Sequence, residues 1–442
     1  MAPQTPAPRS VRLLTLGCRL NTAESDEIRA SLAARQFETN ETDPEVVVVN
    51  TCTVTAEASK ASRKLIRRSI ADHPRSKIVV TGCYAVAEPE VVAAIPGVDL
   101  VVPNQDKDHL AAMITGEASA ASTMTGLPAR VRANLKIQTG CDELCSFCIV
   151  PQTRGELSSR RTGDVMGAAW ALAEAGTREV VLTGVHLGKY GWDRPGPTRL
   201  AGLIRELGAV TGLARIRLSS IEASQIDTAF LRALAEEPKV CRHLHIPLQT
   251  GDAGLWKAMR RPGSLEHFLD IAKQAKEIID DLTLTTDVMV GYPGEDDSAF
   301  VNTLAVVEQI GFRKLHVFRF SPRPGTPAAT DLRQVDHTTA RDRSERLRSL
   351  GNGMRSQWLK NQVGRQVRVL IEKSGPTQIT TLGRPRLSGL TDNYLRVHTS
   401  GPAGLVGRSV DVLVTSAGVD SVEGEIDGGL PVLQNSGGFD SV

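Results

Sequence analysis

From Val11 to Asn104 the chain alternates short apolar runs with longer polar or alanine-rich stretches. VRLLTLG, EVVVVNTC, KIVVTGC and VDLVVPN read as short buried strands, and the stretches between them as helices. That alternation predicts a parallel α/β sheet. The first domain is set at residues 10–112, followed by a small, polar linker over 113–130. The alternation resumes at greater length over 131–345, with candidate strands LKIQT, EVVLTGV, RIRLSSI, HLHIPLQ, LTTDVMVGY and KLHVFRF. Six such strands predict an α/β barrel or part of one, with ligands gathered at the C-terminal strand ends. Cys141, His186, Glu222, Gln249, Asp287 and Arg323 all fall there. A charged helix around 336–360 leads into short alternating runs punctuated by glycine, which predict a small β-barrel or sandwich over 346–417. Residues 418–442 hold five acidic and no basic residues, and this tail is expected not to pack.

A length of 442 residues fits two or three domains. With 41% hydrophobic and 23% charged residues, the composition is that of a soluble globular protein. No apolar run approaches the roughly 20 residues that span a bilayer, so no membrane association is expected. The opening MAPQTPAPRS lacks the apolar core of a secretory signal. The net charge is only +2, so any nucleic-acid surface must be local. One candidate is the run Arg341, Arg343, Arg346, Arg348, Arg355, Lys360, Arg365 and Arg368, opposed only by Asp342 and Glu345. A second runs from Lys60 to Arg68 through Arg63, Lys64 and Arg67. The first is either a phosphate-binding surface or a solvated helical face, and the second reads as a helix close after Cys52. Seven cysteines, an odd number in a long chain, argue for a reducing, cytoplasmic compartment rather than a disulfide scaffold.

Three of those cysteines crowd into QTGCDELCSFCIVPQTRG as Cys141, Cys145 and Cys148. The spacing lets one tight loop hold a 4Fe–4S cluster with one iron left open for a substrate or cofactor. The alternatives are a zinc site completed by a remote residue, or buried structural cysteines. Cys18, Cys52 and Cys83 each follow a predicted strand of the first domain. In a parallel sheet those ends point the same way, so the three are either ordinary buried cysteines or a second cluster with an open position. Cys241 has no partner motif and reads as structural.

With both cysteine sets in view, the chain resembles the radical S-adenosylmethionine tRNA methylthiotransferases over roughly residues 10–416. The resemblance implies an N-terminal methylthiotransferase domain, a radical-SAM partial (β/α)6 barrel and a C-terminal TRAM-like β-barrel that binds RNA. GCRLNTAES and NTCTVTAEASKASRKLIRR resemble the branch acting on N6-threonylcarbamoyladenosine. The isopentenyladenosine branch usually has a glutamine-methionine-asparagine run where this chain has Arg19-Leu20-Asn21. Thr139 and Thr250-Gly251 depart from the usual family residues but remove no cluster ligand.

The resemblance implies two 4Fe–4S clusters, one on Cys141, Cys145 and Cys148 and one on Cys18, Cys52 and Cys83. The first would bind S-adenosylmethionine and generate a 5′-deoxyadenosyl radical that takes the hydrogen from C2 of the adenine. The second would hold the inserted sulfur, methylated by a second S-adenosylmethionine. Thr183, Gly184 and His186 are candidates for cradling the methionine end. Glu222, Gln249 and Asp287 are candidate polar contacts to the cofactor, or alternatively caps and supporting hydrogen bonds. Phe147 would shield the cluster or simply pack, and Arg323 would close the barrel mouth or touch RNA. Expected partners are the tRNA anticodon arm and an external one-electron reductant of the flavodoxin or ferredoxin type, with the enzyme a monomer. The competing readings are the same reaction on isopentenyladenosine, methylthiolation of a ribosomal protein, and a non-catalytic iron–sulfur RNA-binding protein.

Overall fold

The computed structural model describes residues 9–116, 130–196, 198–379 and 385–427. The chain divides into two compact units, with the boundary at Gly351/Asn352, inside the long helix His337–Lys360. The N-terminal sheet and the central barrel together make up the first unit.

The N-terminal sheet contains β1 (Arg9–Thr15), β2 (Phe37–Thr39), β3 (Val46–Thr51), β4 (Lys77–Gly82) and β5 (Leu100–Val102), in the order β2-β1-β3-β4-β5. Every pairing is parallel. β3 is buried along its whole length, as a central strand covered on both faces should be. The four strands expected from the apolar runs are present. β2 was not foreseen: it is a three-residue edge strand whose only apolar residue is Phe37.

The central domain supplies six strands: β6 (Arg132–Lys136), β7 (Glu179–Thr183), β8 (Arg215–Leu218), β9 (His243–His245), β10 (Thr283–Val290) and β11 (Lys314–Arg319). They form two parallel three-stranded segments, joined by isolated bridges Ile216↔Val240 and Ser220↔His245. The result is a partial (β/α)6 barrel.

The second unit contains a closed five-stranded barrel of β12 (Gln366–Ile379), β13 (Pro385–Thr391), β14 (Arg396–Ser400), β15 (Ser409–Ala417) and β16 (Val422–Ile426). It is consistent with a TRAM-like fold. Val369, Ile371, Leu387, Val397, Val412 and Val422 fill its core. The expectation for the tail is corrected here. Val422–Ile426 closes the barrel, pairing parallel with β14 and antiparallel with β15. Glu423 of this strand pairs with Arg386, and Asp420, just ahead of it, accepts from Arg355 at 3.0 Å. The remaining tail, from 428 on, and most of the linker lie outside the described residues. Among the described residues no helix is long and apolar enough to cross a membrane.

Candidate active site

Cys18, Cys52 and Cys83 follow β1, β3 and β4, which are consecutive neighbours in the sheet. The order of strands in space therefore gathers cysteines that lie far apart in sequence. Cys18 caps α1 (Arg19–Ala33), Cys52 lies just ahead of α2 (Ala56–Asp72), and Cys83 opens α3 (Cys83–Ala87). Close approach dictates both preceding glycines. A Cβ on Gly17 would lie 3.0 Å from Cys52 Cβ, and one on Gly82 would lie 2.3 Å from Thr51 O. Cys52 N donates to Ser62 Oγ at 3.1 Å, and Ser62 Oγ donates to Cys52 O at 2.8 Å, which fixes the loop. Burial pushes the Cys52 thiol up, and negative charge on Cys83 and Cys18 would add to the rise, so both sulfurs are within electrostatic reach of Cys52.

Cys141, Cys145 and Cys148 occupy the loop between β6 and the short helix Val150–Arg154. Backbone N–H groups already point at two sulfurs: Glu143 N donates to Cys141 Sγ and Val150 N to Cys148 Sγ, each at 3.4 Å. Burial pushes the Cys141 thiol up to about 11 and the Cys148 thiol up to about 12, and the neighbouring sulfurs add to both rises. Thiols held neutral in this way become thiolates when a cation replaces their protons. Three cysteines on one loop, two of them with backbone N–H groups aimed at the sulfur, suit an iron–sulfur cluster. At Cys83 the donors are side chains instead: Arg154 Nε at 3.2 Å and Asn104 Nδ2 at 3.7 Å.

A cavity of about 450 Å³ opens beside Cys148 and reaches Val54 and Thr55 of the Cys52 loop. His186, Glu222, Gln249 and Asp287 line it, as does Phe147. Gln249 adopts a left-handed backbone at φ 66°, and its buried Oε1 has no hydrogen-bond partner among the described residues. A strained residue with an unanswered acceptor in a cavity suits ligand contact. His186 Nε2 lies 3.3 Å from Glu143 Oε1, and its Nδ1 is also unpartnered. Glu222 is held by Arg261 through bonds of 2.9 and 2.7 Å. Asp287 Oδ1 lies 3.3 Å from His245 Nε2 and 3.2 Å from His316 Nδ1. Burial alone would raise the Asp287 carboxyl, but the two histidines overcome it and hold the group well below the usual carboxylate range. Thr183 does not line the cavity; its Oγ1 donates to Val181 O at 2.9 Å. Gly184 packs against Gln138, whose Oε1 accepts from His186 N at 2.8 Å.

Arg323 is buried and donates to Thr53 Oγ1 at 2.8 Å and Ser59 Oγ at 3.1 Å, so it braces the Cys52 loop against the end of the barrel. Cys241 is buried, remote in sequence from both cysteine sets. Arg154, Arg261 and Asn21 escaped the sequence reading. Arg154 stands six residues after Cys148, but its partners lie on α1 and α3, and no local pattern announces them.

In the 341–368 run the arginines have local partners. Arg343, 4% exposed, binds Glu295 and Asp297 at 2.9 and 2.8 Å. Arg341 pairs with Glu345, Arg355 with Asp420 and Arg368 with Asp411. That weakens its reading as an open phosphate surface. On α2, Lys60, Lys64 and Arg67 are exposed, while Arg63 pairs with Glu88 and Arg68 with Asp72.

A family profile described as "Uncharacterized protein family UPF0004" matches residues 10–103, and the radical SAM superfamily profile matches 135–307. The threonylcarbamoyladenosine tRNA methylthiotransferase MtaB of Bacillus subtilis is 37% identical over 94% of this chain and 96% of its own. The tRNA-2-methylthio-N(6)-dimethylallyladenosine synthase of Frankia alni is 33% identical over 92% of this chain and 86% of its own. Among solved structures, the radical S-adenosylmethionine methyltransferase TsrM from Kitasatospora setae shares the fold, with a TM-score of 0.55 at 16% identity over 73% of this chain and 77% of that one. The chain belongs to the radical S-adenosylmethionine tRNA methylthiotransferase family.

Proposed function

We propose that the protein methylthiolates C2 of N6-threonylcarbamoyladenosine at position 37 of tRNA, giving 2-methylthio-N6-threonylcarbamoyladenosine. The observation that carries the choice of nucleoside is the exposed basic face of α2, Lys60, Lys64 and Arg67, directly after the Cys52 loop that lines the cavity. The threonylcarbamoyl group ends in a carboxylate and calls for cations there; an isopentenyl group does not. The GCRLNTAES and NTCTVTAEA segments support the same choice, as does the Bacillus subtilis relative. The dimethylallyl reading has support of its own from relatives such as the Frankia alni enzyme.

When bound, S-adenosylmethionine and two iron–sulfur clusters supply the radical chemistry and the sulfur. Cys141, Cys145 and Cys148 would hold one cluster, and Cys18, Cys52 and Cys83 the other. Gln249, His186 and Asp287 would receive the polar parts of the cofactor or nucleoside. Phe147, Phe318 and Phe320 would keep water from the reacting carbon. The base to be modified sits in an anticodon loop, where flipping it out costs less than opening a duplex. The C-terminal barrel would add affinity for the RNA backbone. A flavodoxin- or ferredoxin-type donor and a monomeric enzyme complete the proposal.

The test uses reconstituted enzyme and two anticodon stem-loops, one carrying N6-threonylcarbamoyladenosine and one isopentenyladenosine. Methylthiolation of the first alone supports the proposal; turnover of the second alone replaces it with the dimethylallyl reading.

A further inference from the structure

Arg154 is 9% exposed and ends the short helix that follows the Cys148 loop. Its guanidinium reaches across to the other cysteine set. Nε donates to Cys83 Sγ at 3.2 Å, one terminal nitrogen donates to Glu24, and the other donates to Asn21 Oδ1. Asn21 in turn donates to Leu16 O at 2.7 Å and Thr51 O at 3.0 Å, the carbonyls just ahead of Cys18 and Cys52. Arg154 is thus one bond from a cysteine sulfur and two bonds from the backbone that places the other two. Asn104 doubles the link, donating to Thr153 O at 2.8 Å and more distantly to Cys83 Sγ.

Simpler roles do not account for this arrangement. A structural arginine needs only the Glu24 pair, which Lys107 already provides at 2.6 Å. A guanidinium aimed at a sulfur through its Nε–H is suited to a ligand that carries negative charge. Hydrogen bonds and positive charge at cluster sulfurs favour the reduced, more negative state and so raise the reduction potential.

We infer that Arg154 is a positioning residue that tunes the cluster held by Cys18, Cys52 and Cys83 and ties its geometry to the Cys148 loop. This rests on the reading that those cysteines hold a cluster. The chemistry gives the tuning a purpose. A C–S bond formed from a carbon radical and a methylthiolate brings together one electron and one electron pair. Two electrons enter the bond and the third must leave, while the bond between the sulfur and the cluster breaks. The cluster is the acceptor at hand, and a higher potential makes it a better one.

The test uses the full-length chain with Cys141, Cys145 and Cys148 replaced by alanine, so that only the N-terminal site can load. Iron and sulfide content, the EPR spectrum and the midpoint potential are compared for Arg154, Arg154→Lys and Arg154→Gln. Lysine can keep a charge near Glu24 but has no Nε–H donor in the same place. The expected result is unchanged iron content in Arg154→Lys with a more negative midpoint potential and altered g-values; Asn104→Ala should shift the potential less. If Arg154→Gln leaves Glu24 too poorly paired to fold, Arg154→Lys still provides the comparison. If Arg154→Lys also fails to fold, Asn104→Ala gives the comparison at the same sulfur. Equal potentials and spectra at equal iron content would overturn the inference. A parent chain that binds no iron would overturn the cluster reading itself.

Discussion

Arg261 grips Glu222 through two hydrogen bonds, at 2.9 and 2.7 Å, at the rim of the cavity that holds Cys148. The same guanidinium donates to Pro247 O at 2.7 Å and also reaches the Cys145 thiol. One arginine therefore fixes a cavity carboxylate, a strand-end carbonyl and the Cys145 side chain together.

The first prediction concerns that pair. Glu222→Leu leaves a buried guanidinium without its counter-charge, which costs on the order of 3–5 kcal/mol. Arg261→Met in addition should recover part of the loss. Urea denaturation of both single variants and the double variant measures the coupling; additive losses would show that the pair does not act as a unit.

Separate cysteine sets should fail separately. Cys145→Ala should abolish both reductive cleavage of S-adenosylmethionine and methylthiolation. Cys52→Ala should retain cleavage and lose sulfur insertion. Product analysis for 5′-deoxyadenosine and for the modified nucleoside distinguishes them, and equal loss of cleavage in two folded variants would contradict this division.

Acid should loosen the contact between the N-terminal sheet and the barrel. Burial alone would raise the Glu24 carboxyl, but Lys107, Arg154 and Lys136 overcome it and hold it well below the usual carboxylate range. A carboxyl whose folded pKa is depressed contributes stability above its unfolded pKa and loses it as pH falls toward the folded value. The contribution should be complete above about pH 5 and decline below roughly pH 4, near the unfolded Glu value. Urea midpoints measured from pH 7 down to pH 3 should fall more steeply for the parent than for Glu24→Gln.

The C-terminal barrel should depend on its last strand. Val422 is fully buried, so Val422→Ala should cost about 1.5–3 kcal/mol in that unit. A chain ending at Asp427 should keep its barrel, whereas one ending at Ala417 should not. Thermal unfolding monitored within this unit checks both, and an unaffected transition in the shorter chain would show that β16 is dispensable.

Much of the scaffold was legible because parallel strands covered on both faces are written as continuous apolar runs, such as VVVV at 46–49 and EVVLT at 179–183. The cysteine positions were legible for the same reason, since each follows such a run. What stayed hidden depends on partners remote in sequence. Arg154 and Glu24 are 130 residues apart. The strand Val422–Ile426 was obscured by its two glutamates, one of which, Glu423, pairs with Arg386 on another strand. The arginines of 341–368 looked like one surface, yet Arg343 is buried against Glu295. Thr183 looked available at a strand end, but it bonds back to its own strand.

The central claim is tested most directly by nucleoside mass spectrometry of tRNA from cells with and without this gene. The account predicts loss of 2-methylthio-N6-threonylcarbamoyladenosine, with its unmethylthiolated parent rising and the isopentenyl derivative unchanged. An unchanged level of that nucleoside would contradict it.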